Sequence, residues 1–239
     1  MKALSRISTK STPIEVLRND ILQICGAFEV EPARREGLSH GRARKREMGG
    51  FDAALVSLDA QEAIRTQACI RRDPGEYFFM LVQDVGECVV QQSGASALLR
   101  PGDMFIVDAT RPSKFVYEGQ LAHQISVHLP RDEMIGRFGG VCDGGVAIDR
   151  NDPLWLALRA GLYKMMHAPP DAGTQLSEAF YGLMGAYFHE RRSQTLDACG
   201  QIIERALQLM TRHYRDPQFG PSALALHLGV SAFQRHKLQ

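Results

Sequence analysis

The sequence predicts an α+β fold in which an antiparallel β-barrel or jelly roll precedes a helical segment. Two textures carry the prediction. From 51 to 129, short runs rich in Val, Ile, Phe and Tyr alternate with Gly, Pro and Asp, the pattern of strands joined by turns about every 8–12 residues. After 130 the apolar residues recur at helical spacing. Composition agrees: 44% hydrophobic and 23% charged residues exclude a disordered tail, a collagen-like chain and a coiled-coil rod. At 239 residues the chain is long enough for two parts. Lys+Arg 28 against Asp+Glu 27 leaves no global field to attract nucleic acid, a membrane or an acidic ligand.

Ile14, Leu17, Ile21, Leu22 and Ile24 fall on one helical face, and Gly26 ends the run. Residues 32–50 lack periodicity and carry six Lys/Arg between Arg34 and Arg46, so they read as a solvated basic loop. The strand candidates follow as FDAALVSL, AIRTQACI, EYFFMLVQ, ECVVQQ, SALL, MFIVDA, KFVYEG and HQISVHL. Between two of them, Pro101 presets φ, Gly102 accepts positive φ and Asp103 can bond the turn backbone. EYFFMLV is too uniformly apolar to show which set faces inward, Phe79 and Leu81 or Phe78 and Met80. Phe79 and Leu81, with Phe105 and Val107, are the candidate ligand-lining residues.

Helical texture opens with DEMIGRF at 132–138. Asp152 caps the next helix and Pro153 occupies its first turn. Residues 168–173 turn the chain into a second helix at 174–190, whose broad apolar stripe includes Phe180, Tyr187 and Phe188. Its leftover apolar face could be a dimer surface or simply core. RRSQTLDACG at 191–200 reads as a linker. A helix at 202–214, the loop DPQFG, a helix at 221–229 closed by Gly229, and Ser231 as the next cap have the layout of a helix-turn-helix. From 201 to 239, five Lys/Arg face two acids. The candidate DNA-contacting residues are Ser231, Gln234, Arg235, His236 and Lys237.

Five scattered cysteines with no C-x-x-C spacing signal neither a zinc knuckle nor a redox dithiol. His123 and His128, five apart in a strand, point to opposite faces and cannot share a metal. No run of apolar residues is long enough to span a membrane, and the N-terminus lacks the apolar core of an export signal. A cytoplasmic protein without a membrane partner is expected.

These residues resemble the AraC/XylS family of transcriptional regulators, in the subgroup with an AraC-binding-like sensor. The likeness rests on AIRTQACIRR (63–72), EYFFMLVQDVGECVVQQSG (76–94), LLRPGDMFIVDATRP (98–112), SVHLPRDEM (126–134) and LALHLGVS (224–231). The resemblance implies a cupin-like barrel that binds a small organic effector, a helical pair that forms a homodimer, and helix-turn-helix subdomains that bind promoter DNA. It also implies control of catabolic genes, with RNA polymerase a partner of an intact relative. Asp108, Arg111 and Pro112 match the subgroup pattern as a structural ion pair or turn.

The tail departs from that pattern. Arg235 and Gln239 stand where the resemblance implies an apolar and an aromatic anchor, and only Lys237 agrees. The second helix-turn-helix is absent from the sequence, so an incomplete DNA-binding part is expected from 201 to 239. The sensor and dimerisation part is placed at 1–190, with its barrel at about 50–130 and helices at about 150–190. Catalytic cupins converge several His and a Glu on a metal. Strands 76–92 hold no histidine here, and Ser113 follows Arg111-Pro112. No catalytic residue, metal site or cofactor is therefore expected. Two rivals remain: a sensor and dimerisation protein that has lost DNA binding, and a metal-free cupin-type isomerase or epimerase, which would need a His–carboxylate pair in the barrel.

Overall fold

The computed structural model describes residues 12–33, 38–139, 144–169, 173–214, 216 and 219–229. The chain divides into two compact units, 1–187 and 188–239.

The first unit is an α+β fold with a cupin-like antiparallel barrel. One wall is a six-stranded sheet of β4 (Arg42–Met48), β5 (Phe51–Leu58), β7 (Tyr77–Val85), β10 (Met104–Asp108), β12 (Ala122–Pro130) and β13 (Val146–Ile148), in the order β13-β10-β7-β12-β5-β4. The other is a five-stranded sheet of β2 (Glu29–Pro32), β6 (Ala60–Arg65), β8 (Cys88–Gln92), β9 (Ala95–Leu99) and β11 (Ser113–Val116), in the order β2-β6-β11-β8-β9. A short pair, β1 (Thr12–Pro13) and β3 (Leu38–Ser39), lies apart from both. Strands therefore reach beyond 50–130 at either end.

Central pairing fixes which side chains face in. Phe79 stands opposite His128, Leu81 opposite Ser126 and Gln83 opposite Gln124 across β7 and β12. On the far side of β12, Ser126 faces Ala54 and Gln124 faces Val56. The inward set of β7 is thus Phe79 and Leu81, which join Val56, Leu58, Val90, Phe105, Val107 and Phe115 in one buried cluster between the sheets. Phe78 and Met80 are equally buried but face the other way. Both faces of β7 are covered, which is why its sequence does not alternate.

The outer face of the six-stranded sheet is sealed by α4 (Pro153–Met166) and the start of α5 (Gly173–His213). Leu162 and Met166 approach Val82 and Ile125. Phe51 meets Phe180 and Tyr181 edge to face at 6.1 and 5.2 Å between centroids. Asp152 caps α4 by accepting the Leu154 N–H at 2.8 Å, and Pro153 occupies its first turn. The turn at Gly102 has φ +94°, and the Arg100 N–H donates to the Asp103 carboxylate at 2.7 Å. α1 (Ile14–Cys25) buries Ile14, Leu17 and Ile21. α3 (Arg131–Phe138) follows β12 directly.

Four readings of the sequence change. Within the supposed basic loop, Arg42–Met48 is an edge strand paired with Phe51–Leu58. Its charged side chains look outward, where Arg42 meets Asp20 at 2.7 Å and Lys45 meets Asp52 at 2.8 Å. Charges on an edge strand deter pairing with other chains, and they hid the strand's alternation. AIRTQACI is not one strand: β6 ends at Arg65 and α2 (Gln67–Arg72) begins, with the Thr66 hydroxyl accepting the Cys69 N–H. Residues 191–200 are helical, inside α5, because nothing in RRSQTLDACG breaks a helix except the weakly disfavoured Gly200. Finally, Phe180 and Tyr187 are buried within the first unit and leave no exposed stripe there. Tyr187 also donates to the Ala147 carbonyl at 3.3 Å.

In the second unit, α6 (Pro221–Leu228) follows the end of α5. Gly229 closes α6 in the left-handed conformation at φ +66°, as its position in the sequence requires. His213 stacks on Phe219 at 4.6 Å, and Phe219 meets His227 edge-on at 5.8 Å. Ile203, Leu207, Met210 and Leu226 are exposed.

Candidate functional site

Between the two sheets lies a cavity that opens to solvent at its mouth and has room for water-sized spheres centred in about 50 Å3. Val56 and Leu58 from β5, Phe79 and Leu81 from β7, and Ala63 and Phe115 from the opposite sheet supply apolar wall. Ile21 and Cys25 of α1 close one side. That helix is held over the barrel by Arg18, which donates to the Val30 carbonyl at 2.7 Å, and by the Asp20–Arg42 ion pair.

The polar part of the wall is Tyr117, Gln124 and Ser126. The Tyr117 hydroxyl donates to the Gln124 side-chain oxygen at 2.8 Å, and the Gln124 amide donates to the Gln83 side-chain oxygen at 2.8 Å. Gln83 passes the chain on to the Val85 carbonyl at 2.9 Å. Burial pushes the Cys25 thiol up to about 12. Burial also raises the Tyr117 phenol well above its ordinary value, with the neighbouring Cys88 adding to the effect. Both groups are neutral at physiological pH.

Further along β12, His128 turns the same way as Ser126. Its ring packs on Phe79 at 4.9 Å and Tyr77 at 5.5 Å, and its Nε2 is buried without a hydrogen-bond partner. Burial pushes its pKa down to about 4, so the ring is neutral.

Two clasps frame the barrel. Arg65 is fully buried; it donates to the carbonyls of Ala109 (2.7 Å), Ala27 (2.8 Å) and Asp73 (2.5 Å) and meets the Asp73 carboxylate at 3.3 Å. Asp108 accepts from the backbone and hydroxyl of Thr110 at 2.9 and 2.7 Å, with Arg131 at 3.5 Å and Arg111 at 3.7 Å. The motif residues Asp108 and Arg111 thus form the turn and ion pair expected of them, away from the cavity wall.

Of the sequence-derived lining residues, Phe79 and Leu81 are on the wall. Phe105 and Val107 are fully buried in the same core but are not part of the wall, because β10 lies one strand beyond β7. Ser231, Gln234, Arg235, His236 and Lys237 lie outside the described residues. Sequence reasoning missed Tyr117, Gln124 and Ser126. The signal was present in HQISVHL, where Gln124, Ser126 and His128 alternate with Ile125, Val127 and Leu129. Such alternation ordinarily means one face in water. Here both faces are covered and the polar one looks into the barrel.

Among the described residues no cluster of three or more His, Cys, Asp or Glu could hold a metal ion. No described helix is long and apolar enough to cross a membrane.

The molecule thus has a cupin-like barrel with a mixed apolar and polar cavity, sealed on its outer face by a helical pair. The family model for the AraC-binding-like domain matches residues 17–186, and the chain belongs to that family, the sensor domain of AraC-type transcriptional regulators. It is 28% identical over 95 residues to an uncharacterised protein in the nit 5′ region of Bacillus sp. (strain OxB-1), covering 40% of this chain and 36% of that protein. It is also 28% identical over 96 residues to the transcriptional activator NphR of Rhodococcus sp., covering 40% of this chain and 28% of NphR. The matches thus span little more than a third of these relatives at most. The fold is similar to the crystal structure of the AraC-like transcriptional activator CuxR, with a TM-score of 0.55 at 13% identity over 94% of this chain and 85% of that one.

Proposed function

We propose that the chain is an effector-responsive transcriptional regulator whose barrel binds a small organic molecule and which performs no catalysis. The observation that carries this reading is the cavity inside an AraC-binding-like domain, walled by apolar side chains around Tyr117, Gln124 and Ser126. Among the described residues no His–carboxylate pair stands on that wall, which argues against an isomerase or epimerase. The relationship to NphR supports a role in activating transcription, and the genes controlled are catabolic. Exposed Leu156 and Tyr163, two turns apart on α4, suit a homodimer contact.

Residues 201–239 contribute to DNA binding. With Arg235 and Gln239 in place of two anchors, DNA binding is weak and salt-sensitive, resting on phosphate contacts. The test uses the full chain. Compounds that raise its melting temperature are screened, and DNA binding is read by fluorescence anisotropy with and without them. Stabilisation by a compound, lost in Leu81→Trp, supports the barrel as the sensor. Nanomolar DNA binding that a scrambled duplex does not compete overturns the weak, salt-sensitive binding. Sedimentation showing only a 26.5 kDa species at micromolar concentration overturns the dimer.

A further inference from the structure

Among the described residues, no wall residue of the barrel cavity carries a charge. The described wall contains no Asp, Glu, Lys, Arg or His, and burial keeps both its ionisable groups, Cys25 and Tyr117, protonated. Arg65 lies 5.4 Å from the Phe28 ring centroid, and its N–H groups are engaged by three carbonyls and Asp73. A carboxylate or ammonium buried against the described wall would lose its hydration and meet no opposite charge there, the least favourable way to bury an ion.

The cavity is nevertheless not uniformly apolar. On β12 the inward row is Gln124, Ser126, His128. Gln124 is tied up by Tyr117 and Gln83. The Ser126 side chain is buried on the wall, and among the described residues no hydrogen bond reaches its hydroxyl. His128 Nε2, next along the row, is a buried polar atom without a partner. The Ser126 hydroxyl, unpaired among the described residues and on the cavity wall, can take a ligand's polar atom.

We propose that the barrel selects a small neutral molecule, with an apolar body lying against Phe79, Leu81 and Phe115 and a single hydrogen-bonding end at the Ser126 hydroxyl, and that it rejects the charged counterparts of such molecules. This rests on the barrel being the effector site. Size-matched probes test it on the full chain: toluene, benzyl alcohol and benzamide as neutral compounds, benzoate and benzylammonium as charged ones. Affinity is read by calorimetry, and location by the methyl NMR signal of Ile21 on the cavity wall.

The expected result is that benzyl alcohol and benzamide shift Ile21 and bind at least tenfold more tightly than benzoate or benzylammonium. Ser126→Ala should weaken the two polar neutral probes about three- to tenfold, the worth of one hydrogen bond, and leave toluene unchanged. Benzoate or benzylammonium binding as tightly as the neutral probes, with the same Ile21 shift, overturns the selectivity while leaving the barrel as the effector site. Equal loss for toluene and benzyl alcohol in Ser126→Ala overturns the role of the hydroxyl. If no probe, toluene included, moves Ile21, the barrel reading itself falls and this inference with it.

Discussion

The two faces of β12 are built from the same strand to opposite specifications. Toward α4 and α5 it presents Ile125, Val127 and Leu129, all essentially inaccessible to water. Toward the barrel it presents Gln124, Ser126 and His128, similarly hidden but polar; among the described residues the Ser126 hydroxyl and His128 Nε2 have no protein partner. Burial alone therefore does not distinguish a packed core from a binding site; the distinction lies in whether the buried groups are satisfied by the fold itself. The helix face is complete. The barrel face leaves hydrogen-bonding capacity open.

The largest effect should come from the complete face. Phe180 is buried between α5 and the sheet, edge-on to Phe51, with Gly161 of α4 close against its ring. Phe180→Ala removes that ring where the surroundings are two rigid helices and a sheet, so about 3–5 kcal/mol of stability should be lost. Urea unfolding followed by far-ultraviolet circular dichroism measures it. A loss below about 1 kcal/mol would mean that this face is loosely packed and the contrast false.

Arg65 sharpens the contrast from within the barrel unit, because it is a buried polar group that the fold does satisfy. Arg65→Met leaves the carbonyls of Ala27, Ala109 and Asp73 without their donor. Stability should fall by about 3 kcal/mol, since buried acceptors are stranded where water enters poorly. The same denaturation series checks it. A neutral outcome would show that water replaces the guanidinium without cost.

How far these features could be read from sequence depends on whether they are local. The cap at Asp152, the Pro101-Gly102-Asp103 turn and the left-handed Gly229 follow from residue chemistry at single positions, and the structure has all three. Arg42–Met48 was hidden because an edge strand with a solvated face needs no apolar alternation, only a partner, and partners are distant in sequence. The cavity wall was half legible. Phe79 and Leu81 follow from strand parity once the inner face is known, but parity cannot tell β10 from its neighbours, so Phe105 and Val107 were placed one strand too near. Ser126 was missed because the sequence carries no sign that a second sheet covers its face of the strand.

His128 tests the polar face by pH. Its pKa is depressed from 6.5 to about 4, mainly by burial, with Asp52 opposing and Lys45 adding to that effect. In the unfolded chain the ring takes a proton near pH 6.5; in the folded chain it resists until about pH 4. Stability is therefore unaffected by His128 above about pH 6.5 and declines as pH falls toward 4, by about 3 kcal/mol at most. His128→Phe, which keeps a ring against Phe79 and Tyr77, should flatten that part of the pH–stability curve. A His128 ring titrating near 6.5 by NMR would show that water reaches it freely and that the row is not sheltered.

The smallest expected effect is the most discriminating. Ser126 is as buried as many core residues, and truncating such a residue normally costs stability. Its hydroxyl, however, makes no hydrogen bond among the described residues and borders the cavity, so Ser126→Ala strands no partner and opens no new void. The change in unfolding free energy should lie within about 1 kcal/mol of zero, because no hydrogen bond within the fold is lost. Urea midpoints for wild type and Ser126→Ala, taken without ligand, resolve a difference of that size when the slopes agree. A near-zero change here alongside a large loss in Phe180→Ala would mean that the sheet leaves an open binding position on one face only. A loss above about 1 kcal/mol would mean that the hydroxyl already has a partner in the folded chain, and the polar face would then be as complete as the apolar one.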